Sequence, residues 1–277
     1  MTKILVTGAT GSIGRHIVST LAARGLPVRA LVRDPARYEP AEGVEVVAGD
    51  LASPRTLGPA LRGVHSVYLM WPGIPVDPES VRAVARQAER VVYLSTDVAD
   101  LADGEPATSY HQEMERLLRT SGTSWTFLRA IDFATNALRW ADQVKQGVVR
   151  WPYAQAARSL IHERDIADVA VHALTTGGHD RAAYVLTGPE AVTHAEQVKI
   201  IAEETGRQVR WEELPVETAR AQLTAAWGNA RFVDARLKAW GAFVDTPERV
   251  TGTVEHLLGR PALSFRTWAR DHADDFR

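Results

Sequence analysis

Residues 3–14, KILVTGATGSIG, constrain the fold more than any other stretch. Ile4, Leu5 and Val6 form a short apolar run with β-branched ends, the pattern of a strand buried on both faces. Gly8, Gly11 and Gly14 follow at once. After them Ile13, Ile17, Val18 and Leu21 share one helical face, with Arg15, His16 and Arg24 elsewhere. A strand, a glycine turn and a helix in that order make the first half of a dinucleotide-binding unit. Gly8 permits a tight turn, Gly11 lets the backbone approach a pyrophosphate, and Gly14 lets the helix pack against the strand. The free N–H groups of the helix start then meet the phosphate charge. Thr10 and Ser12 add hydroxyl donors. The spacing is G-x-x-G-x-x-G, not the simplest G-x-G-x-x-G, so the strand–turn–helix context carries the reading more than the glycines do.

Further apolar runs at 28–32, 44–48, 65–70, 91–94 and 125–128 read as strands, with helical patterns at 54–62, 78–89 and 109–121 between them. This alternation predicts an α/β fold, a Rossmann-type doubly wound parallel sheet with helices on both faces. Residues 99–108 read as a polar loop with Gly104 and Pro106. From Arg129 the pattern loosens. Phe133, Leu138 and Trp140 suggest a helix, 148–152 a short strand and turn, 165–174 a helix and 184–186 a strand. Thr193 caps a helix to about Glu204, with Glu196 as its capping-box partner. Residues 211–214 are extended, and 216–226, 230–240, 247–257 and 264–275 are helical. The expected division is a nucleotide-binding domain over 1–150 and a smaller, mostly helical substrate lobe over 151–277. Some elements of 151–190 are expected to return to the first domain.

The strand ends carry the chemistry. The second strand ends at Arg33-Asp34-Pro35, where an acidic group accepts the ribose hydroxyls of NAD(H) and an arginine accommodates the 2′-phosphate of NADP(H). Arg33 comes first, and a guanidinium pairs with phosphate in two parallel bonds and stacks on adenine. NADP(H) is therefore favoured, with NAD(H) second; the bland alternative is a solvated Arg33 and an Asp34 that caps the next turn. Asp50, after the third strand, either accepts from the adenine amino group or caps helix 54–62. The loop from Trp71 would pass beside the nicotinamide end.

Composition excludes several classes. The formal net charge of -2 offers neither a nucleic-acid surface nor a polybasic membrane patch. The chain has no cysteine, which removes disulfides, thiolate catalysis and Cys-ligated metal. A strand by residue 3 leaves no room for a signal peptide, and no apolar run approaches the roughly 18 residues that span a membrane. The expectation is a soluble, cytoplasmic protein. The nine histidines are scattered without metal-ligand spacing, so no metal is expected.

The residues quoted so far, with Gly49-Asp50-Leu51, Val91–Ser95, His111 through Ser121-Gly122, Thr126-Phe127-Leu128-Arg129, Phe133, Asn136, residues 164–170 and Leu186-Thr187-Gly188-Pro189-Glu190, resemble the NmrA-like group of atypical short-chain dehydrogenases/reductases. That group includes NAD(P)H-dependent quinone, azo-dye and triphenylmethane reductases and also NADP-sensing regulators. The resemblance implies that Gly8, Thr10, Gly11, Ser12, Ile13 and Gly14 form the phosphate loop and Arg33 the 2′-phosphate site. It implies that Asp50 and Leu51 line the adenine pocket, Met70 and Trp71 lie beside the cofactor ribose, and Ser95 and Thr96 lie near the nicotinamide. The wider family's Tyr-x-x-x-Lys is missing: Tyr110 is followed at that spacing by Met114. Counted from Ser121-Gly122, the lysine position falls on His111 and the tyrosine position on Ala107. His111 is the candidate for the cofactor ribose or carboxamide and for a proton relay, its ordinary pKa being near 6.5. Tyr110 is a nearby donor whose helix position points it about 100° away. Simple ketones need an acid at the carbonyl oxygen, whereas quinones, azo groups and cationic dyes delocalise the incoming charge. The implied activity is hydride transfer to a small aromatic molecule in a cavity of Trp71, Tyr110, Ile131, Phe133, Asn136 and Trp151. A non-catalytic NADP(H) sensor and a natural-product tailoring or non-redox enzyme are the alternatives, and a homodimer is compatible with either.

Overall fold

The computed structural model describes residues 3–98, 100–101 and 105–277. Gly104 of the expected polar loop lies outside them, as do residues 99, 102 and 103. Contacts divide the chain into two units that alternate along the sequence. The first takes Met1–Ile131, Glu163–Leu186 and Thr253–Arg260; the second takes Asp132–His162, Thr187–Gly252 and Pro261–Arg277. The sequence suggested a single crossing near residue 150 with some return; the chain passes between units repeatedly.

The first unit is built on strands β1 (Lys3–Val6), β2 (Val28–Val32), β3 (Glu45–Ala48), β4 (Val64–Leu69), β5 (Arg90–Thr96) and β6 (Ser124–Ala130), with Ala182–Leu186 as a seventh. They lie in the order β3-β2-β1-β4-β5-β6 and then Ala182–Leu186, every pair parallel. Parallel neighbours require crossovers, and the helices supply them. On one face, α1 (Ser12–Ala23) runs along the helix Glu163–Thr175. α1 buries Gly14, Ile17, Val18 and Leu21, the stripe its periodicity predicts. On the other face, α2 (Leu57–Leu61), α3 (Pro78–Gln87) and α4 (Tyr110–Arg119) cover a core that includes Leu5, Val67, Leu69, Val91, Tyr93 and Phe127. The strand order reverses between β1 and β4, which leaves a crevice at the carboxyl ends of the strands.

The second unit holds two small sheets, Val148–Trp151 parallel to Arg210–Glu213 and Ala157–Arg158 antiparallel to Val192–Thr193. Its core collects Trp140, Trp151, Trp240 and Trp268. Thr193 and Glu196 form the expected capping box at the helix His194–Thr205. The segment from Phe133 is a 3-10 helix, Ala134–Trp140, running into a short α-helix, Ala141–Lys145. Helix 247–257 is a correction: only Thr253–Leu258 is helical. Pro247 disfavours a helical residue before it, and Glu248 is drawn into tertiary bonds instead. Its carboxylate accepts from Arg158 and from the Ser159 N–H, and its own N–H donates to Ala157 O at 3.0 Å.

Candidate functional site

The crevice of the first unit is a groove of about 920 Å³, lined from the ends of β1 to β4. Thr7, Gly8 and Thr10 come from the loop after β1. Arg33, Asp34 and Arg37 follow β2, Gly49 to Ala52 follow β3, and Met70, Pro72 and Ile74 follow β4. Of the residues expected to bind cofactor, Gly8, Thr10, Arg33, Asp50, Leu51 and Met70 therefore line one surface.

The loop after β1 is shaped by close approaches that only glycine allows. Gly8 adopts φ +61°, in the left-handed region, and a Cβ there would overlap the Met70 side chain. A Cβ on Gly14 would overlap Gly8 O and lie 2.7 Å from Gly8 C and 2.9 Å from Ala9 Cα. Gly14 thus lets the first turn of α1 sit against the loop backbone itself. Gly11 is the N-cap of α1 with no side chain to cap it, and its own N–H donates to Gly8 O at 2.9 Å. The helix start keeps its dipole and its free N–H groups for an anion. Thr7 Oγ1 accepts from Met70 N at 2.7 Å and ties β1 to the end of β4. These cradles fit a dinucleotide pyrophosphate.

Asp34 turns back on its own chain: its carboxylate accepts from Ala36 N at 3.1 Å and caps the 3-10 turn Pro35–Arg37. That turn brings Arg37 to the groove beside Arg33. Both are exposed. Arg37 escaped the sequence reading, although its place four residues after Arg33 was a signal. Asp50 is not a helix cap; Ser53 holds that position. Asp50 accepts from Ala52 N at 2.9 Å and stays on the groove wall.

Other expected residues lie elsewhere. Trp71 is 3% exposed, belongs to the core beneath the sheet, and donates Nε1–H to Ile74 O at 2.9 Å. It is a packing residue and not a wall of the groove. Ser95 donates to Glu115 Oε1 at 2.7 Å in a buried cluster with Arg129, and Thr96 donates to Ala130 O at 3.1 Å, so both hydroxyls are engaged. Ser12 and Ile13 sit half-buried at the start of α1, outside the groove lining. In the second unit, Trp151 is buried core, Phe133 is half-buried, and Asn136 donates to the Asp132 carboxylate. Ile131, at the end of β6, is half-buried.

His111 stands in the first turn of α4, just inside the Ser109 N-cap. Its Nδ1 lies 2.8 Å from Tyr93 Oη, on a tyrosine that is wholly buried. Burial drives the histidine pKa down to about 4 and raises that of Tyr93. The imidazole is therefore neutral at pH 7, which corrects the expectation of a relay titrating near 6.5. Where the phenol donates to Nδ1, Nε2 carries the imidazole hydrogen; the reverse bond puts that hydrogen on Nδ1. The Tyr110 ring, expected to point away, lies 4.0 Å from that of His111, and Tyr110 is 38% exposed. Tyr93 was missed by the sequence reading. Its signal was parity: it lies two residues before Ser95, on the face that α4 covers.

A model of the NmrA-like family matches residues 1–231. A (4-alkanoyl-5-oxo-2,5-dihydrofuran-3-yl)methyl phosphate reductase of Streptomyces griseus is 40% identical over 284 residues, 99% of each chain. An NAD(P)H azoreductase of Xenophilus azovorans is 36% identical over 283 residues, again 99% of each. Among solved structures, an NADPH-dependent quinone oxidoreductase of Escherichia coli, complexed with NADPH, matches with a TM-score of 0.78 at 23% identity, over 97% of this chain and 99% of that one. That likeness speaks to the fold.

Proposed function

The chain belongs to the NmrA-like family and is an NAD(P)H-dependent oxidoreductase, and from that premise we propose that it uses NADPH to reduce a flat, electron-poor conjugated bond. The observation that carries the cofactor choice is the end of β2. Arg33 and Arg37 both line the groove, and Asp34 between them has one carboxylate oxygen tied to the Ala36 N–H. Gly8, Gly11, Gly14 and the α1 start would hold the pyrophosphate, the two arginines the 2′-phosphate, and Asp50 and Leu51 the adenine.

When bound, the dinucleotide supplies the hydride. The chain's own residues orient and shield. With the Tyr93 phenol as donor to Nδ1, His111 presents a neutral imidazole whose Nε2–H is a fixed donor for the cofactor or acceptor. Such a donor is a weak acid, poorly suited to protonating a simple alkoxide. A conjugated acceptor does not require one, because the added charge spreads over its π system and solvent protonates the product. The relatives support this class. The Streptomyces substrate name describes a ring alkene bearing two carbonyl groups, and the other relative is an azoreductase.

The test is NADPH oxidation with a panel matched for size: a naphthoquinone, an azobenzene, a 2-acylbutenolide and a saturated cyclic ketone. Turnover of the first three classes, or any one of them, without the ketone supports the reading. Turnover of the ketone alone sinks it.

A further inference from the structure

We propose that Glu115, clamped by Arg129 and Ser95, is the positioning residue of His111. It fixes α4 against β5, so that the imidazole is offered to the reacting molecules at one depth and one angle. The inference deepens the reductase reading and rests on it for the role of His111.

Helix α4 has little apolar grip on the sheet. Of its ten residues four are buried, Gln112, Met114, Glu115 and Leu118, and only two of those are apolar. Apolar contacts carry no direction, so Met114 and Leu118 hold the helix down without setting its slide or its roll. Two directional bonds to β5 come from His111 and Glu115, which lie about one helical turn apart and share a face. They meet Tyr93 and Ser95, two residues apart on the strand and on one side of the sheet. Tyr93 Oη lies 2.8 Å from His111 Nδ1, and Ser95 Oγ donates to Glu115 Oε1 at 2.7 Å. One such bond leaves a helix free to pivot about it; two set its place.

The Glu115 end is the firmer. Arg129, on β6, donates through Nε to Oε1 at 3.0 Å and through Nη2 to Oε2 at 2.5 Å, a forked pair. Both side chains are buried. Arg129 Nη2 also donates to Asp100 Oδ1 at 2.5 Å, and Arg119 Nη2 reaches the same oxygen at 2.8 Å. The guanidinium thereby joins β6, α4 and the chain that follows β5.

Stability alone does not account for this arrangement. Taking both charges out of water offsets most of their attraction, and apolar side chains of similar volume would hold the layers as well. What they would not supply is direction. The carboxylate also acts on the partner of His111. Burial raises the Tyr93 pKa first, and the charges of Tyr110 and Glu115 add to it, which keeps the phenol protonated beside the imidazole.

The test is a double-mutant cycle on the full-length chain, with naphthoquinone as the acceptor, NADPH binding by fluorescence titration, and the ring nitrogens of His111 followed by NMR. His111→Gln assigns the ring signals. Ser95→Ala and Glu115→Gln should each lower kcat roughly tenfold, short of the hundredfold that a misplacement of about 1 Å costs, and leave the Kd for NADPH unchanged. In the His111→Gln background the same substitutions should cost nothing further, because a positioning residue acts only through the residue it positions. The His111 ring signals should shift in both variants while those of His179 stay in place. Ser95→Ala removes one bond and leaves the Arg129 fork, so it carries the cycle should Glu115→Gln fail to fold. Additive losses in the cycle, or unmoved His111 signals in both variants, overturn the inference. Shifted His111 signals with naphthoquinone reduction unchanged, in these variants and in His111→Gln alike, would sink the role of His111 in the reductase reading and leave the clamp standing.

Discussion

Tyr93 Oη lies 2.8 Å from His111 Nδ1, a buried phenol against a half-buried imidazole, across the interface between β5 and α4. The pair joins the sheet core to a candidate catalytic side chain. Tyr93→Phe removes the hydrogen bond and keeps the ring. We expect a stability loss of about 1 kcal/mol. The imidazole would then be free to exchange tautomers, and kcat should fall several-fold with the KM for NADPH little changed. Steady-state kinetics beside thermal melts read both. A parallel fall of kcat and melting temperature, restored together at lower assay temperature, would make Tyr93 merely structural.

The second expectation concerns Arg37. Because it shares the groove wall with Arg33, each single alanine variant should weaken NADPH roughly tenfold, the worth of a charge-assisted bond, while NADH changes little. Isothermal titration of the two dinucleotides on both variants decides it. Loss of NADH and NADPH in equal measure would mean that the arginines hold the loop and not the 2′-phosphate.

Gly14→Ala should be far more damaging than Gly11→Ala. The new methyl at residue 14 meets backbone at Gly8 and Ala9, which cannot rotate away. At residue 11 its nearest neighbour is Gly8 O at 3.3 Å, a contact relieved by a small shift. Overpacking of the first kind costs about 1–3 kcal/mol and should abolish dinucleotide binding. Melting curves with and without NADPH would show the difference, and equal behaviour of the two variants would refute it.

The protein should lose stability as pH falls from neutral toward 4. His111 and His194 are both held near pKa 4 by burial, against an ordinary value of 6.5. Between those limits the unfolded chain binds protons that the folded chain refuses, so stability present above pH 6.5 drains away through the folded pKa. Melting temperature measured every half unit should decline over this window, and His194→Gln should flatten the decline. Activity limited by His111 should be level from pH 6 to 8.

The sheet, its helices and the groove end of the site were legible because they follow from local rules. A both-face-buried strand, a glycine turn and a 3.6-residue stripe each declare themselves within a dozen residues, and the alternation then allows few topologies. The departures from the sequence reading share a different cause. Trp71 looked like a cavity wall because it follows a strand, but its indole N–H found Ile74 O and its ring found the core. Ser95 looked like a nicotinamide contact, but the parity of β5 turns it toward Glu115. Residues 247–252 kept a helical composition yet gave up the helix so that Glu248 could meet Arg158. In each case a partner distant in sequence decided the outcome, and no window of one chain reveals it.

The first unit closes late. Its seventh strand is Ala182–Leu186, and its last piece is Thr253–Arg260, where Arg260 reaches Asp165 at 2.7 Å and Asp168 at 2.6 Å on the helix that backs α1. During synthesis the clamp on the supporting helix arrives only after some two hundred and fifty residues have followed the glycine loop. Until Ala182–Leu186 is made, β6 is an unpaired sheet edge prone to wrong partners. The same order warns against trimming. A fragment ended at residue 231, where the family match stops, would carry every groove residue and still lack the arginine that secures the layer behind them.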